Sequence, residues 1–513
     1  MASFSDHPKT MSSLQTLSSR ISRLNLLQKP SLNYSPMSPG LFVRHNRQII
    51  RPTWSPLRIF SLPNRHFSSK NFGQIKMSAK DDLIILGIET SCDDTAAAVV
   101  RGNGEILSQV VSSQADLLAK YGGVAPKMAE EAHSLAIDPV VQEALHKANL
   151  TERDLSAVAV TIGPGLSLCL RVGVQKARKI AGQFNLPIVG VHHMEAHALV
   201  ARQGLTMTRM QNDFLDLFNN IHIGQKDTTS NVFLFMSRLI EQDLRFPFLA
   251  LLISGGHNLL VLAHNLGQYT QLGTTIDDAI GEAFDKTAKW LGLDMRRSGG
   301  PAVEKLALEG DAESVKFSTP MKQHKDCNFS YAGLKTQVRL AIESKNIDSR
   351  IPISSTSCQD RKSRANIAAS FQRVAVLHLE ERCERAIEWA LKIEPSIKHL
   401  VVSGGVASNK YVRARLDRVV KNNSLQLVCP PPSLCTDNGV MVAWTGIEHF
   451  CVGRFDPPPP ADDPEDFMYD LRPRWPLGEE FAEGRSEARS LRKARMHPSL
   501  TSIIQASMQQ QSP

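Results

Sequence analysis

Before about residue 82 the chain shows no regular alternation of apolar and polar positions; from there apolar residues arrive in short blocks parted by small polar turns. Leu83 to Val100 reads as strand, polar turn and strand, and Gly102-Asn103-Gly104 turns the chain into a third strand over 105–112. Helical spacing runs from Pro126 to Ala148, with Pro139 predicting a break or kink. Val158 to Ile162 is a buried-type strand that enters Gly163-Pro164-Gly165-Leu166 and opens a basic helix over 170–183. The hairpin grammar returns at 248–262 around Ser254-Gly255-Gly256-His257, and strand, Gly-Gly turn and helix start return at 400–410. Two hairpins of one design predict an internal duplication. Between these, 275–288 is a helix with a carboxylate-rich start, and Ser298-Gly299-Gly300-Pro301 stops one helix and begins another. Phe329 to Thr336 is a turn with an aromatic and a Lys, as on nucleic-acid surfaces, though the aromatic reads first as a core residue; 344–364 reads as a polar linker, and a long amphipathic helix follows to Leu391.

Two stretches break the pattern. Residues 203–238 are rich in Thr, Asn, Met and Phe and carry no period, and their removal would fuse 197–202 with 239–242 into one amphipathic helix. A loop of about 36 residues is far beyond ordinary connection lengths, which predicts a late insertion or an unspliced reading frame. After residue 456 come four prolines and an acidic run, read as linker, then a basic tail bearing Arg485, Arg489, Arg492, Lys493 and Arg495. That tail reads as a solvated face, with a contact to tRNA or a peripheral membrane contact as the alternatives. The resulting organisation is 1–80 leader, 81–202 first lobe, 203–238 insertion, 239–432 second lobe, 433–456 return to the first lobe and 457–513 linker and tail.

Composition changes the picture at the amino end. Of the formal charge of +8 on 513 residues, positions 1–80 hold twelve Lys/Arg against one acid, a net of +11, so the rest carries −3. A nucleic-acid partner must therefore meet local basic patches rather than a global field. The Ser- and Arg-rich, acid-poor leader reads as an organellar transit peptide; Met11 to Leu27 can form a basic amphipathic helix, and Arg65-His66-Phe67-Ser68 resembles a matrix-processing site. The alternative is a disordered arm of the mature protein. No apolar run reaches the roughly 18 residues of a membrane span. Eight scattered cysteines without a C-x-x-C pair fit a reducing compartment.

The candidate chemistry begins at His193-Met194-Glu195-Ala196-His197. On a helix, imidazoles four apart share a face and can grip a metal. Glu195 lies about 200° round from His193 and points away, so the general base of the H-E-x-x-H peptidases is missing. Asp437, expected in the first turn of a helix after Pro430-Pro431-Pro432, is an acid at a helix start and also the obvious third oxygen ligand. The glycines at 255–256 and 404–405 let backbone approach a ligand, and Asn409 either caps a helix or bonds a ribose.

Taken in order, Gly87-Ile88-Glu89-Thr90-Ser91-Cys92-Asp93, the His193–His197 motif, Ile253-Ser254-Gly255-Gly256-His257, Gly281-Glu282-Ala283-Phe284-Asp285-Lys286 and Val402-Ser403-Gly404-Gly405-Val406 match one family. Over 82–450, less 203–238, the chain resembles the tRNA threonylcarbamoyladenosine transferases in their organellar form, once described as O-sialoglycoprotein endopeptidases. The resemblance implies an α/β fold of the actin, sugar-kinase and heat-shock-ATPase kind: two duplicated ribonuclease-H-like lobes with a nucleotide cleft between them. It implies one divalent ion, iron or zinc, per subunit on His193, His197 and Asp437. Leu252, Ile253, Ser254, Gly255 and Gly256 would cradle phosphate and acyl groups, and Asp285, Gly300, Glu304 and Asn409 would hold ribose and adenine. The implied reaction moves threonylcarbamoyl from threonylcarbamoyl-AMP, supplied by a separate synthase, to N6 of adenosine 37 in tRNAs reading codons that begin with A. A homodimer at the mitochondrial matrix or inner-membrane surface, rather than in a plastid, completes the expectation. Asp94 stands where many relatives have Glu, and the insertion follows the metal helix closely. The rival readings are a metallopeptidase, an ATPase or kinase of the same superfold, and an insertion-damaged binding module without activity.

Overall fold

The apolar run after Leu83 forms β1 (Ile84–Glu89), which turns back as β2 (Asp94–Arg101) and again as β3 (Ile106–Ser113). This is a computed structural model describing residues 80–114, 125–203, 244–295, 298–460 and 470–482, all within the compact unit Ile75–Pro513. The leader helix, the 203–238 stretch beyond Gln203 and the basic tail at 485–495 lie outside the described residues. After β3 come α1 (Pro126–Lys147), β4 (Ala157–Gly163), α2 (Ser167–Phe184), β5 (Ile188–His192) and the helix α3 over 193–203.

The second sheet repeats the first. Its strands are β6 (Phe248–Ile253), β7 (Asn258–Asn265), β8 (Gln268–Thr274), β9 (His399–Ser403), β10 (Gln426–Val428) and a short β11 (Glu479–Glu480). Sheet one runs β3-β2-β1-β4-β5 and sheet two β10-β9-β6-β7-β8-β11. In each, the first three strands of the lobe are antiparallel neighbours and the fourth and fifth run parallel to the first. Between β8 and β9 lie α4 (Ile280–Trp290), α5 (Gly299–Ala307), α6 (Ala332–Ser344) and α7 (Cys358–Ile393). Next, α8 (Lys410–Asn422) links β9 to β10, and α9 (Gly439–Cys451) follows. The fold is thus the α/β superfold of duplicated ribonuclease-H-like lobes.

Period-2 side chains divide the core into layers. Leu249, Leu251 and Ile253 of β6 face the buried cluster formed with the helices of the second lobe, whereas Phe248, Ala250 and Leu252 face the opposite way. That inner cluster holds Ile85 of β1, Met194 and Leu199 of α3, and Val440 to Ala443 of α9, so both late helices lie between the sheets. A third cluster joins Leu86, Ile88 and Val160 to α1 and α2. The contact of α9 with sheet one depends on glycine: a Cβ on Gly87 would stand 2.3 Å from Ala443 N, and one on Gly439 2.4 Å from Ala98 N.

Two expectations are corrected here. The break expected in α1 at Pro139 is absent, because the carbonyl freed by the missing N–H belongs to Leu135, which is 81% exposed and can be solvated. The polar stretch at 344–364 is not linker throughout: Ser357 caps α7 by accepting from Asp360 N, and buried Arg364 donates to the carbonyls of Leu291, Ile351 and Asp348. The segment 470–482, between the acidic run and the basic tail, is docked, with Leu477 buried and β11 paired to β8. Among the described residues no helix is long and apolar enough to cross a membrane.

Candidate metal centre

Strand β5 ends at His192 and α3 starts at once, so His193 and His197 rise from its first turns on one face. Their rings meet edge to face with centroids 4.8 Å apart. Asp437 arrives from far along the chain, on the turn between Pro432–Cys435, which meets the second lobe, and α9, which packs on sheet one. It is not a helix cap: Asn438 takes that place, its Oδ1 accepting from Met441 N at 2.8 Å, which leaves the Asp437 carboxylate free of the helix. That oxygen lies 3.0 Å from His197 Nε2 and 3.7 Å from His193 Nε2. All three donor atoms fall within 4.8 Å of one another.

Two imidazole nitrogens and one carboxylate oxygen fit a divalent ion. Bonds of about 2.0–2.2 Å put neighbouring ligands roughly 3.0–3.5 Å apart, which the observed spacings approach, and three protein ligands leave a position open. The electrostatics agree. Burial opposes a charge on His193, yet the carboxylates of Asp437 and Glu89 push it up to about 9. Burial likewise works against ionised Asp437, and the two imidazoles still hold its carboxyl well below the usual range. The site's field therefore demands a positive charge.

A supporting shell fixes one ligand firmly. Glu89, at the buried end of β1, accepts from His193 Nδ1 at 3.2 Å, from Ser91 N at 2.6 Å and from the Thr161 hydroxyl at 2.5 Å. Ser91 Oγ lies 3.2 Å from the same imidazole nitrogen. This carboxylate–imidazole–site relay points His193 Nε2 at Asp437. Sequence reasoning had Glu89 within a motif but gave it no task; a carboxylate closing an otherwise apolar strand was the available signal. Glu195 faces the opposite way, accepting from Gly267 N, Tyr269 OH and His449 Nε2.

The hairpin tips of both lobes flank the trio. At the β1–β2 tip, burial and then the Asp437 charge push the Asp93 carboxyl up, and burial takes Asp94 to about 7. His133 secures this tip with Nδ1 2.7 Å from Thr95 Oγ1 and Nε2 3.2 Å from Cys92 O. At the β6–β7 tip, desolvation and the charges of His193 and His197 push His257 down. Leu252 and Ile253 are buried strand residues, Ser254 is half-buried, and a Cβ on Gly255 or Gly256 would meet nothing within 4 Å.

The remaining candidates form a second group on the helices of the second lobe. Asp285 Oδ1 accepts from Gly299 N at 2.7 Å, and Glu304 Oε1 from Lys410 N at 2.7 Å. A Cβ on Gly300 would meet open space. Asn409 caps α8 through Val412 N and donates to Gln372 Oε1 at 3.2 Å. Burial raises the Asp285 carboxyl, with the Glu282 charge adding to it, and no member of this group lies among the metal donors.

Comparison with known proteins gives concordant matches. The family described as tRNA N6-adenosine threonylcarbamoyltransferase matches residues 105–209 and 229–444, stopping short of 470–482 and skipping 210–228. A chain of Arabidopsis thaliana described as a probable mitochondrial tRNA N6-adenosine threonylcarbamoyltransferase is 68% identical over 97% of this chain and 98% of its own. The mitochondrial enzyme of that name from Xenopus tropicalis is 40% identical over 74% of this chain and 86% of its own. One from Rhizobium etli is 42% identical over 77% and 94%.

Proposed function

The chain belongs to the tRNA N6-adenosine threonylcarbamoyltransferase family, and from that premise we propose that His193, His197 and Asp437 hold one divalent ion, iron or zinc, beside which threonylcarbamoyl passes from threonylcarbamoyl-AMP to N6 of adenosine 37. The acceptors are tRNAs reading codons that begin with A, and the setting is the mitochondrion, as for the relatives from Arabidopsis and Xenopus. The convergence of the three donors, with Asp437 240 residues along the chain from His197, is the observation that carries the reading.

When bound, the ion supplies Lewis acidity toward the carbamate carbonyl. The chain's own groups do the rest. Glu89 keeps His193 turned to the site. The unobstructed glycines at 255 and 256 allow backbone amides to approach acyl and phosphate oxygens as the N6–carbon bond forms and the carbon–oxygen bond to AMP breaks. Asp285, Gly300, Glu304 and Asn409 hold the ribose and adenine of the donor, and the lobes supply proximity rather than a nucleophile. The peptidase reading is not favoured, because Glu195 is turned into the core. Threonylcarbamoyl-AMP comes from a separate synthase, and the working unit is a homodimer at the matrix or inner-membrane face.

The test incubates the protein with threonylcarbamoyl-AMP and unmodified tRNA and reads nucleosides by mass spectrometry. Wild type yields threonylcarbamoyladenosine, and threonine, bicarbonate and ATP without a synthase do not. Metal-loaded wild type that leaves the tRNA unmodified would overturn the proposal.

A further inference from the structure

Residues 470–482 bridge the two lobes and touch His192, the last residue of β5, directly before the helix that bears the metal donors. At sheet one, Arg472 N donates to Ile162 O at 2.8 Å and Gly165 N to Pro473 O at 3.2 Å. At sheet two, β11 pairs Glu479 with Thr270 and Glu480 with Gln271, and Phe481 N donates to Gln271 O at 2.9 Å. Leu477 is buried, and the Phe481 ring lies 5.6 Å from that of Trp389. A glycine makes room at each anchor. A Cβ on Gly163 would stand 1.9 Å from Arg472 O, and one on Gly478, where φ is +84°, 2.2 Å from Tyr269 O. Any other residue there would lift the strap off its lobe.

Between the anchors the strap meets His192, the residue before the first metal donor. The Trp475 and His192 rings have centroids 4.5 Å apart, and the Arg472 guanidinium lies over the indole at 4.6 Å. His192 Nε2 lies 3.0 Å from Trp475 O, while His192 Nδ1 faces Met194 N at 3.1 Å and Glu195 N at 3.4 Å. A carbonyl only accepts and a backbone amide only donates, so these partners fix the tautomer: Nε2 carries the hydrogen and Nδ1 the free lone pair. The imidazole thus satisfies first-turn amides of α3 that no intrahelical carbonyl can reach, and the strap carbonyl dictates how the ring is turned. A second path reaches the opposite face of α3. Tyr269, whose carbonyl abuts Gly478, donates its hydroxyl to Glu195 Oε1 at 2.7 Å.

We propose that the strap, through Trp475 and His192, positions the metal helix: it fixes where α3 starts and how it is rotated, and so aims His193 and His197 at Asp437. A slip of one residue at the helix start would turn both imidazoles about 100° away. Trp475 and His192 are positioning residues that need not touch substrate. The consequence for the ion rests on the metal reading above; the geometry does not.

The experiment uses the full chain as wild type, Leu477→Asp to expel the strap, Trp475→Ala, Trp475→Phe, and His193→Ala as reference. Hydrogen exchange at the amides of Met194 and Glu195 and zinc affinity by competition are read at a temperature where sheet amides exchange as in wild type. Leu477→Asp and Trp475→Ala should speed those two amides and weaken zinc by about tenfold or more, and Trp475→Phe should restore both. A lowered melting temperature with wild-type exchange at 194–195 and wild-type zinc affinity would overturn the proposal. Should Leu477→Asp fail to fold, the Trp475 pair decides. If wild type binds zinc no better than His193→Ala, the metal reading falls and the exchange rates alone decide the strap.

Discussion

The two lobes share one strand order, yet each contributes different chemistry at the same point of that order. Immediately after the fifth strand of the first lobe, the chain enters a helix carrying His193 and His197. After the fifth strand of the second lobe, it passes a single helical turn, presents Asp437 and enters α9. The hairpin tips differ in the same way: one bears Asp93 and Asp94, the other Gly255, Gly256 and His257. At matched points of the duplicated strand order, one half of the sequence supplies the two imidazoles and the other the carboxylate that converge.

The sharpest way to break this comparison is to remove a donor from either side. His193→Ala and Asp437→Ala should each strip the ion and abolish transfer, which metal content and nucleoside analysis of the folded variants would show; retention of metal by Asp437→Ala would mean that Asp437 is no ligand. A smaller loss is expected at Glu89→Gln, which keeps the donors but loosens His193: metal affinity should drop by about 10–100-fold while the fold persists.

The glycines sharpen it further. Gly87→Ala, at the contact of β1 with α9, should cost about 1–3 kcal/mol of stability by overpacking, visible in denaturant midpoints. Gly255→Ala, facing open space in the corresponding hairpin, should leave the midpoint near wild type and raise KM for threonylcarbamoyl-AMP. An unchanged KM would remove that tip from substrate binding.

The smallest effect concerns the acidic tip. Asp94 is lifted by burial, with Asp93 and Asp437 adding repulsion, so its folded pKa of about 7 exceeds its unfolded value. Stability from its protonated form is then full at low pH and lost as pH rises toward and through about 7. In metal-free protein, Asp94→Asn should lose less melting temperature than wild type between pH 5 and 8. Parallel curves would show that this carboxyl ionises freely.

Local sequence exposed a good deal. The apolar blocks parted by small polar turns at 83–100 and 248–262 marked both first hairpins, because a strand buried on both faces is apolar at nearly every position. The four-residue spacing of His193 and His197 placed both on one face, and the two-residue offset turned Glu195 away. Pattern failed where a contact partner is remote. Glu89 looked like one more motif acid until Thr161 and His193, from two other elements, closed on it. Arg364 read as a linker residue because its carbonyl partners lie on distant loops. Nothing in the pattern of 470–482 marked the strap, because Pro, Gly and charge describe a free chain as well as one that crosses between lobes in extended form.

The sequence by itself therefore settled what each short segment can become, since helix and strand spacing, turn glycines and donor spacing are governed by neighbours in the chain. Only the tertiary structure decided that Asn438 rather than Asp437 caps α9, that Asp437 comes within 3.0 Å of His197, and that His192 is oriented by a carbonyl 283 residues away. Those outcomes depend on two sheets closing over shared helices, and the free energy that fixes them comes from burial between elements that no local window contains.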